Sequence, residues 1–198
     1  MGICATFFFR EARHFEFLAE SILPAVPPGA PFRVWSAACS SGEEVYSIAM
    51  ILADRLGNSP WEVVGSDVSA GVLEKAMRGR YPIERATDIP ERLLKRYCLK
   101  GIGPQAGMLQ VDRSLRGRVL FRQINLNAPL PEIGDFDLIF LRNVLIYFDA
   151  KTKEQVVQRV SQRLKPGGYL LSGHSESLHP LSSGIVPRRP SIYHKRPA

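Results

Sequence analysis

Arg142, Asn143 and Tyr147 fall close together in the segment DLIFLRNVLIYFD, which runs from Asp137 to Asp149. A cation, an amide and a phenol in one short stretch are the parts of a small-anion site, because a guanidinium offers charge-assisted hydrogen bonds to carboxylate or phosphate. The residues ahead of them, Leu138 to Leu141, are apolar and lack Gly and Pro, which predicts a fully buried parallel strand. Ligands in open α/β sheets sit beyond the carboxyl ends of such strands, where these three residues would be delivered. The structural alternatives are a salt bridge from Arg142 to Asp137 or Asp149, and an interfacial core role for Tyr147.

A second group of residues lies between the first predicted strand and its helix. Ala38, Ser40 and Gly42 occupy the positions of a glycine-rich turn, and only Gly42 is glycine. Small side chains there still admit a ligand to the backbone and the helix N-terminus. Glu43 and Glu44 follow at once and would repel a phosphate, although they complement the helix dipole equally well. Asp67 ends the second predicted strand, where an acid accepts hydrogen bonds from ribose hydroxyls; Ser69 alone would suffice to start the next helix. An acidic turn, no phosphate cradle and a ribose-binding acid fit an adenosyl ligand with a cationic tail, such as S-adenosylmethionine.

The elements that must position these groups alternate. An amphipathic helix spanning Phe15 to Leu23 is broken by Pro24, Pro27, Pro28 and Pro31. A strand at Phe32 to Trp35 precedes a helix from Glu43 that Gly57 ends. A strand at Trp61 to Gly65 leads to a helix begun by Ser69 and stopped by Gly79. Asp88 and Glu91 form a capping box for the helix holding Leu93, Leu94 and Tyr97. Met108 to Val111 and Arg118 to Arg122 read as an antiparallel pair. A helix from about 150 to 164 stops at LKPGG, Tyr169 to Ser172 is a strand, and Ile192 to His194 an edge strand. This alternation predicts an α/β doubly wound, mostly parallel sheet.

The 198 residues suit one well-buried domain, with 45% apolar and 23% charged residues. No apolar run approaches a membrane span and no secretory leader is recognisable, so membrane insertion is not expected. Although MGICAT fits the short N-myristoylation pattern, that match is read as coincidence. Cys4, Cys39 and Cys98 are too few and too scattered for a disulfide framework or a metal knuckle, which points to the cytoplasm and reduced thiols. The net charge of +7 includes clusters at Arg113, Arg116, Arg118 and Arg122 and at Arg188, Arg189, Lys195 and Arg196. These are either solvated faces or surfaces for an acidic partner, and charge does not choose between the two.

Taken in order, TFFFRE (Thr6 to Glu11), WSAACSSGEE (Trp35 to Glu44), GSD (Gly65 to Asp67), Asn125–Leu126, LRNVLIYFD, LKPGG and GHSES (Gly173 to Ser177) resemble the chemotaxis receptor glutamate O-methyltransferases, the CheR-type enzymes. The resemblance implies the S-adenosylmethionine-dependent methyltransferase fold across 1–198, with a small antiparallel β-subdomain inserted at about 98–123. It implies that Thr6 and Arg10 cover the cofactor, that Ala38 and Gly42 form its turn, that Glu43 takes the methionyl amino end and that Asp67 takes the ribose. Asn125 and Leu126 would flank the adenine, Leu141 and Arg142 would close the pocket, and Arg142 with Tyr147 would stand beside the transferred methyl. The implied partners are cytoplasmic helices of chemoreceptors, with a receptor tail peptide at the β-subdomain, and no nucleic acid. Two departures stand out. Cys4 replaces a family Asn, and the helical domain that the family carries ahead of the FFR block has no counterpart here, where the chain begins at that block.

Glutamate methylation needs no general base, since the carboxylate is already ionised at neutral pH with a pKa of about 4.3. Rival readings are a non-catalytic module binding S-adenosylmethionine or S-adenosylhomocysteine, and a methyltransferase acting on another substrate such as nucleic acid. A nicotinamide-dependent oxidoreductase is disfavoured by Ala38, Ser40 and the acids after Gly42. His174 and Glu176 are left outside the catalytic set, and Phe7 to Phe9 are read as lid or core.

Overall fold

The computed structural model describes residues 6–178 and 184–197, so Cys4 lies outside the described residues. In chain order the strands are β1 (Phe32–Ala37), β2 (Trp61–Asp67), β3 (Arg80–Pro82), β4 (Cys98–Lys100), β5 (Met108–Val111), β6 (Val119–Gln123), β7 (Phe136–Leu141), β8 (Leu164–Ser172), β9 (Ile185–Arg189) and β10 (Ile192–Lys195). The α-helices are α1 (Ala12–Phe17), α2 (Glu43–Leu56), α3 (Ala70–Arg78), α4 (Glu91–Tyr97), α5 (Arg113–Arg116) and α6 (Ala150–Gln162). Seven strands form one sheet in the order β6-β2-β1-β7-β8-β10-β9, and three more form a small sheet in the order β3-β5-β4. The pairs β6–β2, β2–β1, β1–β7 and β7–β8 are parallel, whereas β10 runs antiparallel to both β8 and β9.

The apolar runs of β1 and β7 feed two cores. Val34, Leu138 and Phe140 pack with Ile48 and Leu52 of α2 on one face. Their chain neighbours Trp35, Ile139 and Leu141 pack with Val156, Val157 and Val160 of α6 on the other. Successive side chains of a strand point to opposite faces, so a strand covered on both sides must be apolar throughout. Burying each of these aliphatic side chains contributes about 1.5–3 kcal/mol.

Several local expectations change. Arg118 to Arg122 does not pair with Met108 to Val111: β6 lies parallel to β2 in the main sheet, while β5 is sandwiched antiparallel between β3 and β4. The intervening residues form α5, capped by Asp112, whose side chain accepts from Ser114 N at 2.8 Å, and a helix does not return the chain as a hairpin. The Asp88–Glu91 box does not form, because Pro90 occupies the N-cap position of α4 with no side-chain cap bond. The amphipathic run after Phe15 continues as a π turn over Leu18–Ile22 and a 3-10 turn over Leu23–Ala25. Pro166 and Gly167 do not separate helix from strand, since β8 already begins at Leu164 and a register shift against β7 accommodates them. The strand at 192–194 is not an edge, because β9 pairs outside it.

Candidate functional site

The chain leaves β1 for β2 on one side and reaches β7 on the other, so β1 and β7 border the point where strand order reverses. A cavity of about 320 Å³ opens beyond the carboxyl ends of these strands. Thr6, Arg10, Ala38, Asp67, Asn125, Leu126, Arg142 and Tyr147 line it, eight of the residues expected there. Gly42, Glu43 and Leu141 do not.

The turn after β1 is held open by its backbone. Ala38 and Ser40 have φ of 66° and 50°, the left-handed region that costs a non-glycine residue on the order of 1–3 kcal/mol. Asp67 helps to hold it there: one carboxylate oxygen accepts from Ser40 N at 2.9 Å and the other from Ser69 N at 3.0 Å. The acid is thereby oriented, and each oxygen keeps accepting capacity for a hydroxyl ligand. Gly42 serves packing instead. Its φ is 91°, and a Cβ there would stand 2.8 Å from Ala76 Cβ and 3.0 Å from the Tyr81 hydroxyl. Tyr81, in β3, donates its hydroxyl to Ser41 O at 2.7 Å, tying the small sheet to the turn.

The two acids that open α2 part company. Glu43 is fully buried, pairs with Arg85 at 2.7 Å and is not among the lining residues. Glu44 lines the cavity, accepts from Ser36 Oγ at 2.6 Å and lies 3.1 Å from Arg142 Nε. Burial raises the Glu44 pKa, and the Arg142 charge opposes that rise. The acid facing the cavity is therefore Glu44 where Glu43 was expected.

Arg142 does follow β7, but its partners are neither Asp137 nor Asp149. Asp137 takes Arg33 N and Lys165, and Asp149 caps α6 by accepting from Thr152 N. The Arg142 side chain is 2% exposed; it donates to Arg10 O at 2.6 Å, meets His14 Nδ1 at 3.1 Å and pairs with Glu44. Burial, then the charge of Arg142, then His174 push the His14 pKa down to about 3, so its imidazole is neutral. Glu11, His14 and His174 bring ligand-type atoms within 4.8 Å of one another.

Tyr147, 63% exposed, stands on a 3-10 turn at the cavity mouth and is no core aromatic. Phe8 and Phe9 are core, whereas Phe7 joins the lining with Val68, Ile124 and Phe148 to supply an apolar wall. Cys39 lines the cavity too, with burial, then Asp67 and Glu44, pushing its thiol pKa well up. Sequence reasoning noted Glu44 beside Glu43 but assigned the cofactor to Glu43, whereas Cys39 and Phe148, also in the lining, carried no signal of their own. Arg118 stacks on Trp61, the first residue of β2, and donates to Ser59 O, which places it at the amino end of the sheet away from the cavity.

Comparisons with known proteins bear on the family and the fold. Residues 5–186 match the CheR methyltransferase, SAM binding domain. The chain belongs to this family. A chemotaxis protein methyltransferase of Escherichia coli K12 is 44% identical over 191 residues, 95% of this chain and 66% of that protein. Chemotaxis protein methyltransferase 2 of Pseudomonas aeruginosa PAO1 is 46% identical over 175 residues, 87% of this chain and 62% of that one. The CheR-family chain thus spans less than two thirds of the length of these relatives. Among solved structures, an O-methyltransferase family protein from Burkholderia thailandensis superposes with a TM-score of 0.57 at 15% identity, over 96% of this chain and 57% of that one. The glycopeptide N-methyltransferase MtfA bound to S-adenosyl-L-homocysteine gives 0.53 at 17%, over 99% and 61%. At such identities the likeness establishes the fold, that of S-adenosylmethionine-dependent methyltransferases.

The CheR domain's lining fits that cofactor: an oriented acid for a ribose, an apolar wall for a purine, an acid rather than a phosphate cradle for a cationic tail, and backbone exposed by small residues.

Proposed function

We propose that this CheR-family domain methylates glutamate side chains of chemotaxis receptors, forming glutamyl methyl esters. The observation that carries the reading is the meeting of Asp67 and Glu44 with Arg142 and Tyr147 in one cavity at the switch point of the sheet. In this reading Asp67 holds the ribose, Leu126 and Asn125 flank the adenine, Thr6 and Arg10 cover the cofactor, and Glu44 draws its cationic end. The bound cofactor supplies an electrophilic methyl group on a sulfonium.

What the protein contributes is alignment and charge. A substrate carboxylate is ionised at neutral pH and needs no base, which suits a neutral, buried His14 already accepting from Arg142. Holding two reactants in line supplies roughly 7–11 kcal/mol. With Nη1 directed to His14 and Nη2 to Arg10 O, and its charge shared with Glu44, Arg142 is assigned to attract a carboxylate by field rather than to clamp it, which leaves the nucleophilic oxygen free. Tyr147, at the mouth, is the polar group assigned to orient that oxygen.

The partners in this reading are cytoplasmic receptor helices rich in glutamate. A receptor tail peptide is assigned to the small sheet, whose edges are β3 and β4 and beside which Leu99 and Ile102 are exposed. No helix among the described residues is long and apolar enough to cross a membrane, and the site of action assigned is the cytoplasm. The test is transfer of labelled methyl from S-adenosylmethionine to a glutamate-rich receptor fragment, followed by mild alkali. Release as methanol is expected; alkali-stable label would point to N-methylation, and binding without transfer to a non-catalytic module.

A further inference from the structure

The segment after β7 holds Tyr147 at the cavity mouth: Leu145 anchors it in the core, with Val144 and Phe148 partly buried against the same core, while its outer residues stay exposed. Ile146 and Tyr147 are 50% and 63% exposed, Asn143 has φ 57°, and within Leu145–Tyr147 only Leu145 is buried. Glu176, 2% exposed, lies under this segment. One carboxylate oxygen accepts from Asn143 N at 2.6 Å and Gly173 N at 3.0 Å, and the other from Leu145 N at 2.7 Å and Ile146 N at 3.2 Å. The carboxylate is itself fixed from behind. Glu176 N donates to Gly173 O at 2.8 Å, and Glu176 O accepts from Ser172 Oγ at 2.8 Å. Gly173 leaves it room, since a Cβ there would come within 2.6 Å of a Glu176 carboxylate oxygen and 2.9 Å of Asn143 Nδ2.

Four amide donors converge on two oxygens, so the site calls for a group that accepts everywhere and donates nowhere. Ionised carboxylate meets that demand; an amide would turn one NH2 toward N–H donors. We infer that Glu176 is a positioning residue for methyl transfer, clamping the loop so that Tyr147 stands where the reacting carboxylate arrives. This rests on the methyl-transfer reading. Asp67, Glu44 and Asn125 lie on other elements, whereas Asn143, Val144 and Phe148 of the clamped segment share the cavity lining, so the clamp should bear more on turnover than on cofactor affinity without leaving the latter untouched.

The test is a double-mutant cycle with Glu176→Gln, Tyr147→Phe and the double variant, read as kcat and KM for a receptor fragment. Melting temperature and calorimetric affinity for S-adenosylhomocysteine are measured in parallel. Glu176→Gln is expected to lower kcat about 100-fold, the scale of a 1 Å misplacement, with a smaller fall in cofactor affinity because Asp67 and Glu44 keep their places. On the Tyr147→Phe background the same change should cost far less. Gly173→Ala crowds the carboxylate without deleting it and should give the same pattern should Glu176→Gln fold poorly. Equal fractional losses in both backgrounds, or a lowered melting temperature with unchanged kcat, would overturn the positioning role while leaving methyl transfer intact. A wild-type protein that binds S-adenosylhomocysteine but transfers no methyl to receptor would overturn the functional reading, and this role with it.

Discussion

His14 offers a pH-dependent stability that can be worked out in advance. Its ring is 1% exposed, its Nδ1 faces Arg142 at 3.1 Å and Glu11 at 3.4 Å, the His174 ring lies 5.3 Å away, and its pKa is pushed down to about 3. The folded protein therefore keeps the imidazole neutral, whereas the unfolded chain binds a proton below about pH 6.5. A depressed folded pKa means that the contribution is complete above the unfolded value and is lost as pH falls toward the folded one. At 1.36 kcal/mol per unit, lowering the pH from about 7.5 to about 5.0 removes roughly 2 kcal/mol through this residue alone. Burial raises the Glu44 pKa, and that group works in the opposite sense, so the comparison must isolate His14. His14→Asn does so, because its carbonyl oxygen can accept from Arg142 in place of Nδ1 and does not titrate. Urea denaturation of both proteins at the two pH values should show wild type losing roughly 2 kcal/mol more than the variant. Parallel losses would refute the claim that His14 is held neutral against Arg142.

Three further outcomes are expected. Asp67→Asn should weaken S-adenosylhomocysteine binding about 10- to 150-fold in calorimetry, the equivalent of one charged hydrogen bond at about 1.5–3 kcal/mol; an unchanged Kd would remove Asp67 from the ribose site. Arg142→Met should cost about 3–5 kcal/mol in urea denaturation, because it strands Glu44 without a counter-charge. Adding Glu44→Gln should recover most of that loss, and a fully stable single variant would disprove the pairing. Gly42→Ala should cost about 1–3 kcal/mol through its clash with Ala76 while the folded protein keeps its cofactor affinity, and weaker binding at unchanged stability would return Gly42 to the ligand site.

The legible parts of the site were those delivered by strands. Apolar runs marked where β1, β2 and β7 end, so Ala38, Asp67 and Arg142 could be placed at one edge of the sheet. One residue along a helix start turns a side chain by about 100°, which is why Glu43 and Glu44 could not be told apart before their partners Arg85 and Arg142 were seen. The purpose of Gly42 depends on Ala76 in α3, and that of Glu176 on amides from another loop. Neither contact leaves a local pattern. Proximity in sequence suggested a hairpin for Met108–Val111 and Arg118–Arg122, but β2 claims the second strand. The fragment IVPRR of β9 carries a proline and two arginines, so nothing local marks it as a strand, and it is its pairing with β10 that makes it one.

The central claim is that the cavity beside Asp67 and Arg142 takes an adenosyl ligand with a cationic tail. Calorimetric titration with S-adenosylhomocysteine, run in parallel with NAD, tests it most directly. Saturable binding of S-adenosylhomocysteine alone is predicted. Binding of NAD, or of neither ligand by a folded protein, would contradict it.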